Sequence, residues 1–176
     1  MYVAIVDDEI EARENLHAYL LDYCSKHDIS IAFDMFPSAE DFFENYQAKY
    51  DVVFMDIELK DMNGLEASHK LREIDQNVVL VFVTNYVQYA VKGYEVNAFD
   101  YIVKPISYEN FIFKFERVLS KLEYKNNLDF LLLTNNGTRK IKVRDILYVE
   151  VFRHTLVYHM NDGNKYSSRG ALNTIE

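Results

Sequence analysis

Five positions carry side chains whose types and spacing suit one chemistry: Asp7, Asp8, Asp56, Thr84 and Lys104. Asp56 follows the unbroken apolar run Val52 to Met55 and precedes a polar loop that ends at Gly64. That is the pattern of a buried parallel strand presenting an acid at its carboxyl end. Asp7 and Asp8 follow the apolar run Tyr2 to Val6, Thr84 ends the β-branched run from Asn77, and Lys104 follows Phe99 to Val103. Ligands of open α/β sheets gather outside the carboxyl ends of the strands, so if these four strands are neighbours, the five side chains meet. Three carboxylates at close range raise one another's pKa unless a cation intervenes. Mg²⁺ prefers oxygen ligands and bridges readily to a phosphoryl oxygen. Asp7 and Asp8 would hold it, with one oxygen of Asp56 and the backbone carbonyl of Glu58 as further ligands. The other oxygen of Asp56 is then free to attack phosphorus. Thr84 offers a hydroxyl donor and Lys104 a compact cation to the phosphoryl group. The set reads as a phosphorylatable aspartate.

The elements that must position these residues alternate. Strand one is followed by a helix over Ile10 to His27, where Leu16, Leu20 and Tyr23 recur at helical spacing. A second strand covers Ser30 to Phe36. Ser38 then caps a helix with an acid three residues on, buried through Phe42, Phe43 and Tyr46. The third strand, Asp51 to Ile57, precedes a helix over Gly64 to Asp75, with Leu65, Ser68 or His69, Leu71 and Ile74 spaced for one face. After the strand ending at Thr84, a less regular helix is predicted over about 87–96. Lys104-Pro105 closes the fifth strand, because proline cannot continue a ladder. Ser107 caps a last helix from Tyr108 to Lys125 whose Phe111, Phe115, Val118 and Leu122 form an apolar stripe. Such alternation predicts a parallel sheet covered on both sides, with right-handed crossovers.

After Asn126 the pattern changes to strands alone. Asn135-Asn136-Gly137 and Asn161-Asp162-Gly163 are hairpin-turn signals between β-rich runs. The charge changes too: 22 acidic against 11 basic residues up to position 121, and 6 against 8 beyond it. The overall net charge of -9 argues against nucleic acid for the first part but not for the second. A hydrophobic share of 49% with 15% aromatic is that of a packed globular chain, not a disordered one. No signal-peptide pattern opens the sequence, and no apolar run approaches the roughly 18 residues of a membrane span. With the single Cys24 placed on a helix beside Leu16 and Leu20, a reducing, cytoplasmic setting without membrane partners is expected.

Residues 1 to about 121 resemble a response-regulator receiver domain of two-component signalling. Val6-Asp7-Asp8-Glu9, Met55-Asp56-Ile57, Met62-Asn63-Gly64, Val83-Thr84 and Lys104-Pro105 match its motifs in order and spacing. The resemblance implies that Asp56 accepts phosphate from a sensor histidine kinase, that Asp7 and Asp8 hold Mg²⁺, and that Thr84 and Lys104 are the switch pair. Tyr101 would be the aromatic that moves inward as Thr84 is drawn to the phosphoryl group, and activation would often mean a homodimer. Two departures stand out: Asn85 sits where the family usually has a small residue, and Lys60-Asp61 occupies a loop that often carries proline.

Asn97-Ala98-Phe99-Asp100-Tyr101, with Asn85-Tyr86 and Tyr89-Ala90 upstream, is similar to receivers attached to LytTR-type DNA-binding domains. The tail, Ile141 to Glu150 followed by His154, Tyr158 and His159, resembles the opening half of that all-β domain. Arg153 and His154 fall where a DNA-reading loop is expected, and an Arg beside a His can reach a base edge or a phosphate. The expected fold class is α/β: a five-stranded, parallel, doubly wound, flavodoxin-like receiver over 1–121, a linker or end of the last receiver helix over 122–128, and a partial all-β module over 129–176. The chain is thus expected to stop part-way through a LytTR-like domain whose intact form would bind promoter DNA.

Other signals are discounted. His154 and His159 would face opposite ways on a continuous strand, which disfavours zinc. Neither G-x-x-x-x-G-K-[ST] nor G-x-G-x-x-G occurs. Lys92, Glu95, Asp100, Lys114 and Arg117 are candidates for cross-dimer pairs. Two readings compete with the switch: a Mg²⁺-dependent phosphohydrolase that turns over Asp56, for which Glu58 is the candidate acid/base, and an interaction module that works without phosphorylation. A regulator would not be a turnover enzyme.

Overall fold

The structure, a computed structural model, describes residues 1–44, 46–86, 93–126, 129–134 and 137–169. It divides into two units, Met1–Leu119 and Ser120–Glu176. The beginning of the helix predicted over 87–96, with Tyr89, Ala90 and Lys92, lies outside the described residues, as does the turn of helix expected over 172–176.

In the first unit, strands β1 (Tyr2–Val6), β2 (Ala32–Phe36), β3 (Val52–Met55), β4 (Val79–Thr84) and β5 (Asp100–Val103) form one sheet in the order β2-β1-β3-β4-β5. Every pairing is parallel. The helices between them are α1 (Ile10–Lys26), α2 (Ala39–Glu44), α3 (Gly64–Ile74) and α4 (Tyr108–Asn126), with a 3-10 turn at Tyr94–Val96. No described helix is long and apolar enough to cross a membrane.

The unbroken apolar strands follow from burial on both faces. Ala4, Val6, Val53, Met55, Leu80 and Phe82 join one core with Phe42 and Leu71. Phe54, one position out of phase, points to the opposite face, where its ring lies 6.5 Å from that of Phe115 on α4. A side chain as fully buried as Phe54 contributes about 1.5–3 kcal/mol. Ser38 caps the second helix, accepting from the Asp41 amide at 3.1 Å and donating from its hydroxyl to the Asp41 carboxylate at 2.9 Å.

The third helix departs from its predicted face. Gly64, Ala67, Ser68 and Leu71 are buried, whereas Ile74 is 55% exposed. At that end the Arg72 guanidinium bridges α3 to the carbonyls of Val96 (2.8 Å), Val78 (2.9 Å), Asp75 (3.2 Å) and Asn97 (3.3 Å).

In the second unit, β6 (Asp129–Thr134) pairs with β7 (Gly137–Lys142), and β8 (Ile146–Phe152), β9 (Thr155–Met160) and β10 (Lys165–Arg169) form an antiparallel sheet in the order β10-β9-β8. Leu132, Ile141, Leu156, Tyr158 and Met160 are its buried core. Gly163 takes φ +83° in the Asn-Asp-Gly turn, a conformation that favours glycine.

Candidate functional site

Register brings the chemistry to one edge. Val6 pairs with Met55, so Asp7 and Asp56 leave neighbouring strands at the same level, and the Asp56 amide donates to the Val6 carbonyl at 2.8 Å. Thr84 pairs with Val103, and the Lys104 amide donates to the Thr84 carbonyl at 2.9 Å. All of these residues stand at the carboxyl edge of the sheet, beside the cis Lys104-Pro105 peptide.

Asp7, Asp8 and Asp56 each offer a carboxylate oxygen, and these atoms lie within 4.8 Å of one another. Such an all-oxygen set fits a hard divalent ion. Lys104 Nζ lies 2.6 Å from Asp56 Oδ2, 2.8 Å from Asp7 Oδ2 and 3.4 Å from Glu9 Oε2. Burial works against the charge of Lys104, but Asp56 and Asp7 outweigh it and hold the ammonium well above its ordinary range. Asp7 is shifted the opposite way from most paired carboxylates: burial pushes its pKa up, and the hydrogen bond and charge of Lys104 only partly offset that.

Backbone donors fix the remaining oxygens. The Glu9 amide donates to Asp7 Oδ1 at 3.0 Å, and the Glu58 amide donates to Asp56 Oδ1 at 3.1 Å. Glu58 therefore sits at the acid through its main chain. The floor of the loop is Gly64, whose amide donates to the Ile57 carbonyl at 2.9 Å. Asn63 caps α3 through Oδ1, accepting from the amides of Leu65 (3.1 Å) and Glu66 (2.9 Å).

Thr84 is fully buried and accepts weakly from the Tyr86 amide at 3.4 Å. Tyr101 is half-buried, its ring centroid 6.4 Å from that of Phe82. Burial pushes the Tyr101 phenol up, with the Thr84 hydroxyl close enough to counter it. Even so, its buried hydroxyl makes no hydrogen bond of ordinary geometry among the described residues.

Several contributors lay beyond the sequence reading. Glu9 reaches Lys104, Arg13 donates to the Asp7 carbonyl, and Lys60 Nζ lies 3.4 Å from Asp8 Oδ2. The acidic run Asp7-Asp8-Glu9 was a visible signal for the first; nothing in the spacing marked the others. Asp100, a candidate for a cross-dimer pair, pairs within the single chain with Lys114 at 2.6 Å and with Arg117, both on α4.

Arg153 and His154 form the exposed two-residue turn between β8 and β9, and Arg153 adopts φ +57°. His159 is not beside them. It is buried, with Nε2 2.8 Å from Glu150 Oε2 and its ring stacked 4.1 Å from Tyr148.

Comparison with known proteins agrees with this geometry. The chain is 28% identical over 184 residues to the sensory transduction protein LytR of Staphylococcus saprophyticus, covering 99% of this chain and 70% of that one. It is 37% identical over 109 residues to the transcriptional regulatory protein LytR of Staphylococcus aureus, covering 60% of this chain and 42% of that one, so it spans less than half of the latter. The crystal structure of response regulator TrrA from Thermotoga maritima, in complex with Mg²⁺-BeF, superposes with a TM-score of 0.58 at 24% identity, covering 66% of this chain and 97% of that one. The response regulator receiver domain family matches residues 3–116, and the chain belongs to that family.

Proposed function

We propose that Asp56 is the phosphoacceptor of a two-component response regulator, with residues 1–121 as receiver and 129–176 as the first part of a LytTR-like, DNA-binding output module. One observation carries this reading: a buried carboxylate is held between the Lys104 ammonium at 2.6 Å and the carboxylates of Asp7 and Asp8. When bound by Asp7, Asp8, Asp56 and the Glu58 carbonyl, Mg²⁺ would supply charge neutralisation for the transferring phosphoryl group.

The chain's own residues do the rest. An Asp56 oxygen bonds to phosphorus while the bond from phosphorus to the kinase histidine nitrogen breaks, its electron pair leaving with the imidazole. Lys104 shifts its hydrogen bond from the free carboxylate to the phosphoryl oxygen. Thr84 turns its hydroxyl to another oxygen, and Tyr101, whose hydroxyl has no hydrogen-bond partner among the described residues, fills the space that Thr84 leaves. Phosphorylation thereby biases a two-state equilibrium through contacts that differ between the states.

Partners on this reading are a sensor histidine kinase, promoter DNA through the intact output domain, and a second copy on activation; the setting is cytoplasmic. The relatives' names, sensory transduction and transcriptional regulatory protein, support it. Incubation with MgCl₂ and acetyl phosphate tests it. One slowly lost phosphoryl group fits a switch; many rapid cycles would mean the phosphohydrolase, and no transfer would mean an interaction module.

A further inference from the structure

Lys104 engages Asp7 and Asp56, but Asp8 is paired with a different lysine, Lys60, 3.4 Å away in the loop after β3. Lys60 is 78% exposed and lines a cleft of about 880 Å³ that opens onto Asp56. Asp8, Glu9, Glu58 and Glu66 line the same cleft. Among the described lining residues, Lys60 carries the one permanent positive charge.

Two ligands of opposite charge must enter this cleft, and Lys60 acts on them with opposite sign. A divalent cation approaching Asp8 meets the ammonium and must displace it from the carboxylate. A phosphoryl donor is an anion, and it passes a wall of carboxylates in which the exposed Lys60 offers a compensating charge, Lys104 being engaged with Asp7, Asp56 and Glu9. We infer that Lys60 is a donor-recruiting residue: it pairs with Asp8 and turns to the phosphate of the incoming donor once Asp8 is engaged by the cation. This rests on the phosphoacceptor reading of Asp56.

The test compares the whole chain with Lys60→Ala and Lys60→Arg by two readouts: calorimetric Mg²⁺ binding without donor, and the rate of acetyl phosphate transfer, followed by intact mass, at saturating Mg²⁺. Lys60→Ala is expected to bind Mg²⁺ about two- to fivefold more tightly, the size of an exposed ion pair. The same variant is expected to accept phosphate about two- to fivefold more slowly. Lys60→Arg stays near wild type in both, and the differences shrink as salt is raised. Unchanged values in Lys60→Ala, or changes of the same sign in both readouts, overturn the inference while leaving Asp56 as acceptor. A wild type that takes no phosphate overturns the acceptor reading itself, and this inference with it.

Discussion

A Cβ placed on Gly64 would stand 1.9 Å from the carbonyl oxygen of Asp56 and 2.9 Å from the Cα of Ile57. Both neighbours are backbone, so neither can swing aside. The first residue of α3 is thus pressed against the main chain that carries Asp56. Gly64→Ala is expected to push the 57–63 loop outward, costing about 1–3 kcal/mol and lowering the rate of acetyl phosphate transfer at least about tenfold. Urea denaturation and intact mass check the two effects; wild-type values in both would show that the loop relaxes freely.

Lys104 is the cation on which Asp7 and Asp56 depend. Lys104→Met leaves buried carboxylates without their partner, a loss of about 3–5 kcal/mol at neutral pH without metal. Protonation of the orphaned acids relieves the strain, so the variant should gain stability as pH falls, and Mg²⁺ should restore much of the loss. Thermal denaturation at several pH values, with and without MgCl₂, measures this.

Asp7 would give the proposed metal site a pH dependence. Its pKa is raised above that of an ordinary carboxylate, chiefly by burial. Between the unfolded and folded values the native chain binds more protons than the unfolded one, so its contribution to metal-free stability falls as pH rises through that window. On the proposed reading, Mg²⁺ would bind the deprotonated site. Its affinity should therefore be full above the folded pKa of Asp7 and decline by about tenfold per pH unit below it. Calorimetry across pH follows the decline, and Asp7→Asn should weaken binding and flatten the profile.

Arg72 holds the far end of α3 through four backbone carbonyls, including those of Val78 before β4 and Val96 before β5. Arg72→Met strands these acceptors and should cost about 1–3 kcal/mol in urea denaturation. Arg72→Lys should recover only part, because an ammonium lacks the planar fork that reaches several carbonyls together.

Much of this arrangement was legible because parallel strands buried on both faces announce themselves. Val52 to Met55 and Asn77 to Thr84 could be placed from their apolar runs, and the acids and hydroxyl at their ends fell at one edge once the strands were neighbours. Gly64 was visible as a motif, but its cause, a near-contact with the Asp56 carbonyl, is a tertiary fact. Ile74 misled because its periodicity matched Leu71, whereas the helix end is held by the Arg72 guanidinium. The ion pairs of Asp100 with Lys114 and Arg117 join residues on different elements. Spacing could not tell those pairs from contacts to a second copy. Lys60 carried no signal in its sequence context beyond lying in a loop where proline is often expected.

The central claim is that Asp56 takes the phosphoryl group. Intact-mass analysis of wild type and Asp56→Asn with MgCl₂ and acetyl phosphate tests it directly. A single phosphoryl adduct on the wild type, lost slowly and missing from Asp56→Asn, is the predicted result. An adduct of equal yield on Asp56→Asn, or none on a folded wild type that binds Mg²⁺, would contradict it.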